Sequence, residues 1–154
     1  MGNETRDDGR GHLILLVEDE LPAVRLFQLA VEELDRQIEV EVATDGHQAL
    51  DRLVGGRAEG RERRQPNVVV LDLDLPSVGG VEVLREIRTT PDTAALSVVV
   101  MTHRDDKPTI DECLRLGVDD YIIKPDDYEG LLEVARRVSA AWSGGEERAH
   151  VHDA

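Results

Sequence analysis

Four short apolar runs in this chain each stop at residues that can bind a cation or handle a phosphoryl group. Leu13-Ile14-Leu15-Leu16-Val17 runs into Glu18-Asp19, and Val68-Val69-Val70-Leu71 runs into Asp72. Val98-Val99-Val100-Met101 ends at Thr102, and Tyr121-Ile122-Ile123 ends at Lys124-Pro125. Apolar runs of this length, bounded by turn formers, read as buried strands of a parallel sheet. Ligands of such sheets bind outside the carboxyl ends of the strands. Three carboxylates, one hydroxyl and one ammonium are therefore expected along one edge of one sheet.

That set supports a definite chemistry. Apposed carboxylates raise each other's pKa unless a cation joins them. A few hard oxygen ligands suit Mg²⁺, which keeps several waters and takes one or two carboxylates plus phosphate oxygens. Asp19 and Asp72 are expected as direct ligands, Glu18 as a direct or water-mediated one, and Asp74 as a donor of its backbone carbonyl. A carboxylate can also accept a phosphoryl group as an acyl phosphate. Thr102 would then donate to a phosphoryl oxygen, and Lys124 would neutralise another as a point charge. This is phosphoryl transfer by positioning and electrostatics. Singly, each residue has a plainer role: an Asp after a strand forms a turn or cap, and a lysine is a surface charge. Four chemically compatible strand ends in sequence are not explained by caps.

The elements that must position these groups alternate along the chain. The first strand spans 13–17, and a helix begins near Pro22, whose fixed φ suits a first turn. Val24, Phe27, Ala30, Val31 and Leu34 keep that helix amphipathic to about Arg36. Ile38, Val40 and Val42 alternate with Glu39 and Glu41, which predicts a half-exposed strand. A short helix covers His47–Leu53, strands cover 67–72, 97–102 and 120–124, and helices cover Val81–Arg88, Lys107–Leu116 and Asp127–Trp142. Gly117 is a good residue for ending the fourth helix. Five β-α units imply an α/β fold with a doubly wound, five-stranded parallel sheet of order 2-1-3-4-5. Strands one and three then lie side by side beneath the ligand crevice. Residues 1–11 and 143–154 read as tails flanking one domain, 12–142, and the arginine-rich segment 55–65 reads as a solvated loop.

Composition narrows the function classes. The chain has 154 residues, a net charge of −15 and one cysteine. That charge argues against nucleic-acid binding through phosphate contacts. A lone Cys113 forms no intramolecular disulfide and points to a reducing, cytoplasmic setting; its helical spacing marks it as a packing residue. No apolar stretch reaches the roughly 20 residues of a membrane span. Five scattered histidines show no zinc-ligand spacing. Arginine outnumbers lysine sixteen to two, so the chain nearly avoids lysine yet places Lys124 at a strand end. An acidic, lysine-poor surface also suits a salt-adapted host.

These residues resemble the receiver domain of two-component response regulators over about residues 12–142. The matching signatures are Leu16-Val17-Glu18-Asp19-Glu20, Val70-Leu71-Asp72-Leu73-Asp74-Leu75-Pro76, Gly79-Gly80, Val100-Met101-Thr102-His103 and Tyr121-Ile122-Ile123-Lys124-Pro125. The likeness implies a flavodoxin-like receiver fold, with Asp72 as the phosphorylated aspartate and Glu18-Asp19 as the acidic pair that holds Mg²⁺. Thr102 and Tyr121 would be the switch pair, and Lys124 the essential lysine. It implies a sensor histidine kinase as donor. The run from Pro125-Asp126-Asp127-Tyr128 to Trp142 looks most like stand-alone regulators that partner phytochrome-type kinases. It implies no enzymatic turnover beyond self-phosphorylation and slow autodephosphorylation. The pattern departs at three places: Glu-Asp stands for the commoner Asp-Asp, Ser77-Val78-Gly79-Gly80 lacks an acidic residue, and His103 stands where a small residue is common, narrowing access.

Two other readings compete with this one. Leu71-Asp72-Leu73-Asp74 resembles the first motif of haloacid-dehalogenase-type phosphatases, but Pro76 stands where that motif continues with a small or β-branched residue. The acidic pair also precedes the motif rather than following it, and no cap domain fits. A phosphorylation-independent scaffold of receiver type usually loses a site residue, and none is lost here. The expected response is a ring movement: Thr102 shifts toward the phosphoryl group and Tyr121 turns inward beside the fourth helix. The face carrying Leu131, Leu132 and Trp142 is then a candidate homodimer surface.

Overall fold

Strands alternate with helices through the described residues. The computed structural model describes residues 11–55, 64–142 and 150–153. The expected N-terminal tail up to residue 10, residues 56–63 of the arginine-rich loop, and residues 143–149 and 154 lie outside the described residues. The elements are β1 (Leu13–Val17), α1 (Leu21–Leu34), β2 (Glu39–Ala43), α2 (Gly46–Leu53), β3 (Val68–Leu71) and α3 (Gly80–Thr89). β4 (Ser97–Thr102), α4 (Lys107–Arg115), β5 (Asp120–Ile123), α5 (Tyr128–Ala141) and β6 (His150–Asp153) follow.

All strand pairs are parallel, and the sheet order is β2-β1-β3-β4-β5-β6. The first five strands take the expected 2-1-3-4-5 order. β6 pairs along β5, with Asp120 opposite His150 and Ile123 opposite Asp153. It falls in the stretch read from the sequence as a tail, and the reason is physical. His150-Val151-His152-Asp153 carries one apolar residue and so gives no strand pattern, whereas edge pairing requires only free backbone donors and acceptors. α5 supplies the crossover that a parallel neighbour needs.

Successive side chains of a strand point to opposite faces, so each strand feeds two cores. Leu15, Val17, Val69, Leu71, Val98, Val100 and Tyr121 pack under α2, α3 and α4 with Leu84, Ile87 and Cys113. Ile14, Leu16, Val68, Val70, Val99, Met101 and Ile122 pack under α1 and α5 with Phe27, Val134 and Val138. Cys113 is fully buried, in agreement with a packing role, and burial pushes its thiol pKa up to about 11. Leu131, Leu132 and Trp142 pack against the α1–α5 core, and the Trp142 ring stacks on His12 at 4.3 Å. They are thus partly buried against α1's side of the sheet, not spread over an α4–β5–α5 surface. The sequence alone could not assign them, because both faces of the sheet need apolar partners.

Helix starts are set by side chains. The carboxylates of Asp45, Asp106 and Asp127 accept from the backbone N–H of Gln48, Thr109 and Gly130 at 2.8, 3.1 and 2.8 Å. Gly117, at φ +73°, turns the chain out of α4 into β5 in a conformation other residues resist. At Gly80 a Cβ would lie 2.5 Å from the carbonyl oxygen of Asp72, so only glycine lets α3 begin this close to the end of β3. Among the described residues no helix is long and apolar enough to cross a membrane.

Candidate functional site

Backbone pairing carries past the last ladder residues and aligns the strand ends. Leu71 lies opposite Val17, and the N–H of Asp72 donates to the Val17 carbonyl at 3.1 Å. The N–H of Glu18 donates to the Ala43 carbonyl at 3.0 Å, which ties it to the end of β2. Thr102 lies opposite Ile123, and the Lys124 N–H donates to the Thr102 carbonyl at 2.9 Å. Glu18, Asp72, Thr102 and Lys124 therefore stand at the carboxyl edge of four strands by register, before any side-chain interaction.

Side chains then close the site. Lys124 Nζ lies 2.9 Å from Glu18 Oε1 and 3.2 Å from Asp72 Oδ2. Glu18 is 1% exposed and Asp72 6%, so the lysine serves two carboxylates taken almost wholly out of water. Burial pushes the Glu18 carboxyl above its ordinary range, against the opposing pull of Lys124. Burial by itself would lower the Lys124 ammonium, but its hydrogen bond to Glu18 and the charges of Asp72 and Glu18 raise it on balance. Asp19 is exposed at the rim. Glu18, Asp19 and Asp72 each offer an oxygen within 4.8 Å of the others, the one such acidic or metal-ligating group among the described residues. Two oxygens bound to one Mg²⁺ at about 2.1 Å sit about 3 to 4.2 Å apart, so the donor set fits that ion after a small closure.

The remaining expected residues divide. Thr102 is fully buried, and its Oγ1 accepts from the Arg104 N–H at 3.4 Å. The Tyr121 ring is also fully buried, and its hydroxyl donates to the Arg104 carbonyl at 2.8 Å. The ring is therefore already inward in this structure; the expected inward turn is not a step left to make from here. Asp74 is not brought into the carboxylate group through its side chain, whose Oδ1 instead accepts from Arg104 Nε at 3.1 Å. Its backbone N–H donates to Asp72 Oδ1 at 3.2 Å, which orients the Asp72 carboxylate. His103 is exposed.

Arg104 was missed from the sequence. One signal was available: opposite charges stand at the same offset, two residues beyond Asp72 and two beyond Thr102, on adjacent strands.

Comparison with known proteins agrees with this geometry. The response regulator receiver domain family matches residues 14–136. A probable methanogenesis regulatory protein, FilR2 of Methanothrix harundinacea, is 36% identical over 132 residues, covering 86% of this chain and 84% of that protein. Response regulator Rcp1 of Synechocystis is 30% identical over 130 residues, covering 84% of this chain and 88% of that protein. The solved Mn²⁺-bound form of Rcp1 superposes with a TM-score of 0.75 over 90% of this chain and 99% of the other. The phosphorylated cyanobacterial phytochrome response regulator RcpA superposes with a TM-score of 0.77 at 30% identity, again over 90% and 99%.

Proposed function

The chain belongs to the response regulator receiver family, a family of signalling proteins, and from that premise we propose that Asp72 is its phosphoacceptor, charged by a sensor histidine kinase in the presence of Mg²⁺. One observation carries the assignment. Asp72, at the end of the central strand β3, has one carboxylate oxygen 3.2 Å from the Lys124 ammonium and the other held by the Asp74 N–H, beside the carboxylates of Glu18 and Asp19.

In the proposed transfer, an Asp72 carboxylate oxygen attacks the phosphorus of a phosphohistidine on the partner. The new P–O bond forms as the P–N bond breaks, and the leaving imidazole takes up a proton. The Asp74 N–H holds Oδ1 in place through that step. Lys124 is placed to neutralise a phosphoryl oxygen, and the Thr102 hydroxyl to donate to another. Glu18, Asp19 and Asp72 would hold the metal, with the Asp74 backbone carbonyl as a further donor; when bound, Mg²⁺ supplies positive charge against the phosphoryl oxygens. The Mn²⁺-bound form of Rcp1 supports this use of the acidic group.

The likeness to RcpA supports a phytochrome-type kinase as the donor. A buried free thiol at Cys113 and a kinase donor fit a cytoplasmic protein. The output is read through protein contacts, a second copy of the chain among the candidate partners.

The experiment is direct. Incubation with a small acyl-phosphate donor and Mg²⁺ is expected to add one phosphate, labile to base and to hydroxylamine, by mass spectrometry, absent in Asp72→Asn. Full labelling of that variant removes Asp72 from the role. Sustained turnover of a generic phosphomonoester would favour a phosphatase instead.

A further inference from the structure

Contacts around the strand ends meet at Arg104. Its N–H donates to Thr102 Oγ1 at 3.4 Å, its carbonyl accepts from the Tyr121 hydroxyl at 2.8 Å, and its Nε donates to Asp74 Oδ1 at 3.1 Å. Asp74 in turn donates its N–H to Asp72 Oδ1 at 3.2 Å. A chain of polar contacts thus runs from Asp72 through Asp74 and Arg104 to the Tyr121 ring. It does not pass through the Thr102 hydroxyl.

We propose that the Asp74–Arg104 ion pair is a second coupling path between Asp72 and Tyr121, parallel to Thr102, and that it holds the ring inward by fixing the Arg104 carbonyl. Arg104 is a positioning residue in this scheme. The response to a phosphoryl group rests on the reading of Asp72 as phosphoacceptor; the resting part stands on the contacts alone.

A buried hydroxyl needs a partner, and the partner of Tyr121 belongs to an exposed segment, residues 103–106, between β4 and α4. An exposed segment has little packing to hold it. Where its carbonyl sits therefore decides whether the inward ring is satisfied. The pair to Asp74 ties that segment to the β3–α3 loop across the mouth of the site. The two side chains are 46% and 56% exposed, so the pair adds little to global stability. A small energy is nevertheless enough to bias a ring between two packings of similar energy. A phosphoryl group on Asp72 would add negative charge beside the Asp74 carboxylate and offer Arg104 a stronger acceptor. Phosphorylation then acts on the β4–α4 segment from two sides, through Thr102 and through Arg104.

The chain has two tyrosines, Tyr121 and Tyr128, so 3-fluorotyrosine labelling gives two ¹⁹F signals, assigned with Tyr121→Phe. Spectra are taken without metal or phosphoryl mimic, in wild type, Asp74→Asn, Arg104→Gln and the charge-swapped double variant Asp74→Arg/Arg104→Asp. Lys107→Gln, which removes the neighbouring Lys107–Asp111 pair, is the control. In both single variants the Tyr121 signal is expected to move toward the exposed position, with about a three-fold rise in outward population, the scale of an exposed ion pair. The double variant is expected to return toward wild type, and the control to leave the signal in place. An unmoved signal in both single variants overturns the path, as does a double variant that behaves as the sum of the singles. A second set of spectra with beryllium trifluoride and Mg²⁺ is expected to shift Tyr121 in wild type and to shift it less in Arg104→Gln. Failure of wild type to bind the mimic would count against the phosphoacceptor reading, while the mimic-free spectra would still decide the resting path.

Discussion

Lys124 Nζ sits 2.9 Å from Glu18 Oε1, in a pocket where the carboxylate is almost completely buried. The contact gives the longer Glu side chain a role at this position: it reaches the ammonium, which opposes the upward push of burial on its pKa. Lys124 thus balances Glu18 and Asp72, two of the three carboxylates in the acidic group.

Removing the lysine should leave two buried carboxylates without their cation. Losing one partner of a buried pair costs about 3–5 kcal/mol, and Lys124→Met is expected near the lower end because Glu18 can take up a proton. Mg²⁺ should restore part of the loss and bind this variant more tightly than wild type. Urea unfolding with and without Mg²⁺ checks both. An unchanged midpoint would show that the pair contributes nothing to the fold.

Metal binding should stabilise wild type through Asp19. At 100 times its dissociation constant, Mg²⁺ is expected to add about 2.7 kcal/mol by mass action. Thermal melts of Asp19→Ala should show no metal-dependent rise. A rise equal to wild type would exclude Asp19 as a ligand.

Stability should fall in alkali because of Cys113. Burial raises its thiol pKa from 9.0 to about 11, so the folded state holds the proton more tightly than the unfolded chain. Its contribution is fully present below pH 9 and is lost as the pH rises through about 11, amounting to about 3 kcal/mol. Tyr121, whose pKa burial raises above its ordinary value, adds to the same trend. Cys113→Val should flatten the stability curve between pH 9 and 11. An identical slope in that variant would assign the alkaline loss elsewhere.

Arg88 should matter for folding although it lies away from the site. Nε donates to the Leu116 carbonyl at 2.7 Å, Nη1 to those of Leu96 and Ala94 at 2.8 and 3.1 Å, and Nη2 to that of Gly117 at 2.9 Å. One guanidinium so joins the end of α3 to the start of β4 and the end of α4. Charged hydrogen bonds to carbonyls are worth about 1.5–3 kcal/mol each, but they are not additive, and Arg88→Met is expected to cost about 3 kcal/mol in all. Chemical denaturation measures it. A cost within about 0.5 kcal/mol of zero would place Arg88 with ordinary surface residues.

The sequence by itself determined the first five strands, their parallel 2-1-3-4-5 order and the residues at their ends. Strands buried on both faces must be continuous apolar runs, and a run stops where the chain leaves the core, so each run names its own terminal residue. Glu18, Asp72, Thr102 and Lys124 were legible for that reason, and the tertiary register brings these four together. What the tertiary structure alone decided involves partners far apart in the chain or backbone groups without side-chain identity. Asp74 turns from the carboxylates to Arg104, thirty residues on, and Tyr121 is already inward because a loop carbonyl meets its hydroxyl. Trp142 stacks on His12 at the opposite end of the chain, and β6 pairs through a ladder that no side chain announces. Apolar periodicity records which residues leave water; it does not record which polar atoms meet once they have left.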